Sequence, residues 1–252
     1  DMVISSGSSL AAVNFIIARE NLSKSVVVMR PSILSVKRFN LVIMPRHDRP
    51  PQRKNVLVTA GSLNLVDEQY LQEESIKLIQ RANLNPQAGY IGVFIGGDSK
   101  RFILDHNLTR KVITEVKEAA DKINADILLT TSRRTSARAE DLIKQEFKDY
   151  PRCKLMIIAN ENNIPEAVGG ILGLSKVIVS SPESISMISE AVNSAKPVVV
   201  FRVEGLSRKH KEFVEHLSRS KHIILSAVDS LSQKIEEAWQ DKAAANVLKD
   251  ND

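Results

Sequence analysis

The sequence predicts an α/β protein built on two parallel sheets, and two observations carry that prediction. Apolar runs of four to six residues recur without polar alternation: SVVVM at 25–29, NLVIM at 40–44, YIGVFI at 90–95 and VVVF at 198–201. Strands covered on both faces of a parallel sheet read this way, because neither face meets water. Segments with helical spacing stand between many of these runs, and strand–helix alternation makes βαβ units. The pattern is that of two Rossmann-like lobes. Ligands of such sheets bind beyond the carboxyl ends of the strands.

Each element follows in order. Residues 2–5 read as a strand, Gly7-Ser8-Ser9 as a turn, and 10–19 as a helix. Strands follow at 25–29 and 40–44, the second ended by Pro45. The loop RHDRPPQRKN leads to a strand at 56–59, then a helix at 68–81. The stretch 83–89 contains Pro86 and reads as a linker, which puts the boundary near residue 85, with lobes at 1–85 and 86–252. The chain begins inside a strand, so the first lobe is expected to be incomplete. In the second lobe strands are expected at 90–95, 125–130, 154–159, 177–179, 198–203 and 222–225. Helices are expected at 109–124, 137–148, 164–172, 184–195, 209–219 and 231–244. The last helix is expected to pack back on the first lobe.

Composition narrows the classes. Aromatic residues are 4% of the 252, so the cores should be aliphatic. No apolar run approaches the roughly 20 residues of a membrane span. The single Cys153 excludes an internal disulfide and fits a reducing, cytoplasmic setting. The net charge is +5, and it is concentrated: Lys24, Arg30, Lys37, Arg38, Arg46, Arg49, Arg53 and Lys54 are opposed only by Asp48. Such a segment draws anions, whether phosphorylated ligands or an anionic membrane surface met peripherally. A solvated basic surface fits equally well. Nucleic acid is disfavoured, because base stacking needs exposed aromatics and this segment offers only Phe39.

The strand-end loops carry the functional reading. Gly96-Gly97-Asp98-Ser99-Lys100-Arg101 follows YIGVFI; two glycines let backbone N–H groups approach a phosphate, and Lys100 adds charge. Alone, that loop is also a tight turn. Ser132-Arg133-Arg134-Thr135 follows the next strand, and paired arginines clamp anions. Asn160-Glu161-Asn162-Asn163 suits contact with a base, or a simple turn. After KVIV, Ser184 and Ser186 stand where a helix begins, a position with unpaired N–H groups and partial positive charge. Met187 lies beside them, and Glu190, one turn on, can accept hydrogen bonds from a ribose diol. A merely capped helix explains the same serines. In the first lobe His47 beside Asp48 is the candidate general base with its orienting carboxylate, against the plainer reading of an exposed loop histidine. HExxH, CxxC, GxSxG, P-loop and GxGxxG patterns are missing, which argues against a metal site, a serine hydrolase and a dinucleotide oxidoreductase or epimerase.

GGDSKRF (96–102), TTSRRT (130–135) and S-x-S-M-x-S-E-A (184–191), with PRHD (45–48) and TAGSLN (59–64), resemble the mitochondrial-fission family known from plants, whose many bacterial members have no known function. The resemblance covers about residues 2–201. The last of the three blocks is shared more loosely with GT-B glycosyltransferases. The resemblance implies a GT-B-like fold with nucleotide-sugar or nucleotide diphosphate as ligand. It would place Glu190 on the ribose, and Ser184–Met187 and Gly96–Lys100 on the diphosphate. Glu183 replaces the family's usual Asp, and Gly7-Ser8-Ser9-Leu10 replaces a Gly-Arg-Arg-Thr type loop. Two functions follow as expectations. One is a glycosyltransferase acting on an unknown acceptor, with Lys100, Arg133 and Arg134 stabilising the leaving diphosphate. The other is a non-catalytic adaptor that recruits protein partners or binds anionic membrane.

Overall fold

Strand β5, Tyr90–Ile95, is buried along its whole length and lies at the centre of a six-stranded sheet. The computed structural model describes residues 1–99, 101–241, 245–248 and 250. On one side of β5 run β6 (Asp126–Thr131) and β7 (Cys153–Ile157); on the other run β8 (Ser175–Ser180), β9 (Val198–Phe201) and β10 (Ile224–Ser226). The order is β10-β9-β8-β5-β6-β7 and every pairing is parallel. Helices α3 (His106–Ile123), α4 (Ala137–Phe147), α5 (Ala167–Leu174), α6 (Ile185–Asn193), α7 (Arg208–Arg219) and α8 (Leu231–Gln240) connect or follow these strands. The aliphatic core the composition predicts is present: Ile91, Val93, Ile127, Leu129, Val177, Val179 and Val199 are at most 1% exposed.

Local sequence sets the helix ends. Asp105 accepts the Leu108 N–H at 2.8 Å, so α3 starts three residues before the expected Thr109. Asn124 then closes the helix in the left-handed region at φ 53°, where Asn is tolerated better than a branched residue.

A second, smaller sheet has the order β1-β2-β3-β4, all parallel: Met2–Ser6, Lys24–Val28, Leu41–Pro45 and Val56–Thr59. Helix α1 (Ala11–Glu20) docks on it through Asn14, whose Nδ2 donates to the Val3 and Val26 carbonyls at 3.0 Å each. Ala11, Val27, Phe39, Val42 and Met44 form the core. Here full burial fails. Ile4 is 65% exposed and Leu57 53%. The register puts both on one face, through Ile4↔Val26↔Leu41 and Ile43↔Leu57.

The chain divides into two compact units at Leu63/Asn64, ahead of helix α2 (Glu68–Ala82) and not at residue 85. The reason is packing. Leu78 of α2 is fully buried, and a Cβ on Gly170 would come within 2.6 Å of the Leu78 Cβ, so only a glycine in α5 lets the helices approach this closely. Arg81 of α2 also pairs with the buried Glu166 carboxylate beside α5. The Pro86 stretch is therefore a turn into β5. Helix α8 packs on α3, β8 and β9 of its own unit, with Leu231 and Ile235 fully buried. Residues 242–244, the expected end of that helix, lie outside the described residues.

Candidate anion-binding site at the strand ends

Four loops of the larger sheet meet where β5 ends. The Gly96 N–H donates to Ser181 Oγ at 2.9 Å and the Gly97 N–H to Glu183 Oε1 at 2.8 Å. The Asp98 N–H donates to the Arg134 carbonyl at 3.0 Å, and Ser99 N–H to the Phe102 carbonyl at 2.8 Å. Thr135 Oγ1 donates to the Gly96 carbonyl at 2.6 Å. The sequence predicts that these glycine N–H groups face a phosphate. They are spent on protein acceptors instead. The glycines serve close approach: a Cβ on Gly96 would collide with the Glu183 carboxylate, and one on Gly97 with the Arg134 backbone. The loop after β9 closes the fourth side, since a Cβ on Gly205 (φ 78°) would lie 2.9 Å from the Arg101 carbonyl.

The loop after β6 is a self-bonded turn. Ser132 Oγ accepts the Arg134 N–H at 3.2 Å, and Thr135 Oγ1 accepts the Ser132 N–H at 3.0 Å. Ser136, not Ser132, caps α4. The backbone of Arg134 is thus held while both arginine side chains, Arg133 and Arg134, remain exposed. Asn160, from the loop after β7, ties in through Glu140 at 2.7 Å.

The loop after β8 reaches α6. Ser181 and Glu183 are buried, and Ser184 occupies the N-cap with φ −114° and ψ 98°. Its hydroxyl makes no capping bond, and the first turn carries no acidic side chain. An uncapped helix start presents N–H donors and the positive end of the helix dipole. Ser186 is exposed; Met187 and Glu190 are half-buried. Burial raises the Glu190 carboxyl above the usual range. Tyr70 of α2 is also raised, first by burial and then by Glu74 and Glu190. Lys100 lies outside the described residues.

Two titratable groups here escape a reading of the sequence. Glu183 is 1% exposed; burial pushes its carboxyl up to about 7, with Asp98 adding to the rise, while the Gly97 N–H and the Arg134 charge oppose it. Its Oε2 is buried without a hydrogen-bond partner among the described residues. His210 stands in the first turn of α7, with Nδ1 2.6 Å from the Oγ of Ser207, the N-cap residue. Burial lowers its pKa, and the charges of Lys209 and Arg134 add to the effect. The pattern S-x-x-H after an apolar strand is the available signal.

His47 and Asp48 belong to the first unit, on a short 3-10 turn, Arg46–Asp48, at the end of β3. His47 is 8% exposed, not a free loop side chain, and its Nε2 lies 3.9 Å from Asp48 Oδ1. Arg30 donates to the Asp48 carbonyl at 3.3 Å. Among the described residues no group of three His, Cys, Asp or Glu side chains is placed to hold a metal ion. No described helix is long and apolar enough to cross a membrane.

The family model for mitochondrial fission ELM1 matches residues 1–250. The chain belongs to the mitochondrial fission ELM1 family. An uncharacterized protein, RP120, of Rickettsia prowazekii (strain Madrid E) is 27% identical over 254 residues, covering 88% of this chain and 70% of the relative. The mitochondrial fission protein ELM1 of Arabidopsis thaliana is 23% identical over 213 residues, covering 76% of this chain and 48% of that protein. The chain thus matches about half the length of the plant ELM1. Among solved structures, the UDP-GlcNAc 2-epimerase of Methanocaldococcus jannaschii superimposes with a TM-score of 0.67 at 14% identity, over 100% of this chain and 72% of the other. A second structure of that enzyme, in complex with UDP-GlcNAc and UDP, gives 0.53 at 13% identity, over 100% and 72%. Identity at that level speaks for the fold: this ELM1-family chain has the two Rossmann-like parallel-sheet lobes of the GT-B type.

Proposed function

We propose that the larger unit binds a nucleotide-sugar, with its diphosphate at the start of α6. The observation that carries this reading is the convergence of four strand-end loops beside a helix N-terminus whose N-cap side chain, Ser184, makes no capping bond. The exposed Arg133 and Arg134, held by a rigid turn, supply the opposing charge. Ser184 and Ser186 offer hydroxyls, and Glu190 takes the ribose diol. The M. jannaschii enzyme of like fold was solved with UDP-GlcNAc and UDP, which supports the choice of ligand. The reaction such binding would serve is glycosyl transfer to an acceptor hydroxyl. The test is thermal denaturation with a panel of UDP-, GDP- and ADP-sugars. A ligand at 100 times its dissociation constant adds about 2.7 kcal/mol of stability. No shift with any of them excludes the donor site.

A second reading rests on the first unit. Arg19 and Arg38 lie over the Phe15 ring at 5.4 and 5.6 Å, and Ile16 and Leu22 nearby on the chain are 60% and 98% exposed. Cations beside exposed aliphatics suit an adaptor on an anionic membrane or an acidic protein partner. Salt-sensitive sedimentation with liposomes containing phosphatidylserine tests it.

A further inference from the structure

Glu183 is the buried titratable group that the binding scheme leaves unused. It is wedged between two loops: Oε1 fills the place of a Gly96 side chain and holds the Gly97 N–H, while Oε2 is sealed in without a partner among the described residues. The next residue, Ser184, is the N-cap of the helix whose first turn is open. A carboxylate in this slot therefore stands one residue from where a bound diphosphate puts its charge, and burial of the carboxylate leaves their repulsion little screened.

We propose that Glu183 is a positioning residue that makes diphosphate binding proton-linked: the strand-end site takes its ligand together with one proton, carried by the Glu183 carboxyl. This deepens the nucleotide-sugar reading and rests on it. With Glu183 neutral, the N-terminal field of α6 and the arginine charge act on the ligand alone. With Glu183 ionised, part of that field is already used. The proton comes from solvent and stays on the carboxyl while the ligand is bound. The groups facing the carboxyl fit this assignment. Arg134, from the loop after β6, favours the ionised form in the free protein, and Asp98, from the loop after β5, opposes it. Gly97 donates to either form. A titration near 7 places the exchange within the working range. His210 of α7 also faces Arg134, and burial with the charges of Lys209 and Arg134 holds its pKa below the usual histidine value, so its share must be separated.

The probe is UDP-GlcNAc, whose diphosphate diester has no group of its own titrating near neutrality. Calorimetry in two buffers of different ionisation heat should show close to one proton taken up on binding at about pH 8. Affinity should fall about twenty- to thirtyfold between about pH 6 and about pH 8.5. Glu183→Gln should make the affinity flat with pH, whatever its absolute value, whereas His210→Gln should keep the slope. Binding with no net proton uptake, or a slope that survives in Glu183→Gln, overturns the assignment. If Glu183→Gln fails to fold, the proton count of His210→Gln decides the matter: uptake close to one proton supports the assignment and none overturns it. Failure of UDP-GlcNAc and UDP to bind at any pH removes the donor site itself, and so is distinguishable from binding without proton uptake.

Discussion

Glu183 Oε1 accepts the Gly97 N–H at 2.8 Å across 86 residues of chain, so the loop after β5 and the turn into α6 move as one piece. The Arg134 backbone closes the other side of Gly97. A methyl group there has nowhere to go, because its neighbour is backbone and not a flexible side-chain tip. Gly97→Ala should cost about 2 kcal/mol or more in urea denaturation, in the range of core overpacking. It should also weaken nucleotide-sugar binding by displacing the turn before α6. An unchanged unfolding midpoint would mean that the knot is looser than its geometry.

Stability should depend on the same carboxyl. Its pKa is raised from 4.5 to about 7, so the folded state binds the proton more tightly than the unfolded one. The stabilisation is complete below about pH 4.5 and is lost as pH rises through about 7. Over that window the loss is roughly 3 kcal/mol, because a tenfold change in proton affinity is worth about 1.36 kcal/mol. Glu183→Gln should therefore be more stable than the wild type at about pH 8 and nearly equal to it at about pH 4. A variant no more stable at about pH 8 would show the carboxylate better satisfied than its partnerless Oε2 indicates.

How far the chain can be read from its residues follows from which forces are local. YIGVFI and VVVF announce buried strands, and both are buried throughout, because burial on two faces leaves a continuous apolar run. The same logic misreads Ile4 and Leu57, whose face of the smaller sheet is open. The parallel sheets and the order of the strand-end loops are legible. The use of the Gly96 and Gly97 N–H groups is not, since their acceptors come from Ser181 and Glu183, far along the chain. Nor is the place of α2, which is decided by the absence of a side chain at Gly170. Asp67 and Asp105 as helix caps are within reach of the sequence, because their bonds span three residues.

Arg134 offers a way to separate charge from scaffold. Its contacts with the Gly97 loop run through its backbone, and its side chain is exposed. Arg134→Ala should leave the unfolding free energy within about 0.5 kcal/mol of wild type, as for most surface changes. It should weaken nucleotide-sugar binding about tenfold or more, the scale of a lost charge-assisted hydrogen bond. It should also raise the His210 pKa, because the Arg134 charge is one of the causes holding that imidazole down. Proton NMR titration of His210 reads this directly, and an unmoved titration would separate the two residues.

Cys153 provides a check on the larger sheet that is independent of any ligand. It sits at the start of β7, where burial pushes its thiol up to about 11 while a hydrogen bond with the Leu155 backbone and the charges of Lys117 and Lys154 pull the other way. The thiolate is the reactive form, so the folded protein should react with iodoacetamide far more slowly than the unfolded chain at about pH 8. With a free thiol near 8.5, the thiolate fraction falls by roughly two orders of magnitude at the raised value. The rate in native buffer therefore reports opening of the β6–β7 edge, and it should rise with urea ahead of global unfolding if that edge frays. Labelling as fast as in the denatured chain would contradict the burial of Cys153 and with it the position of β7.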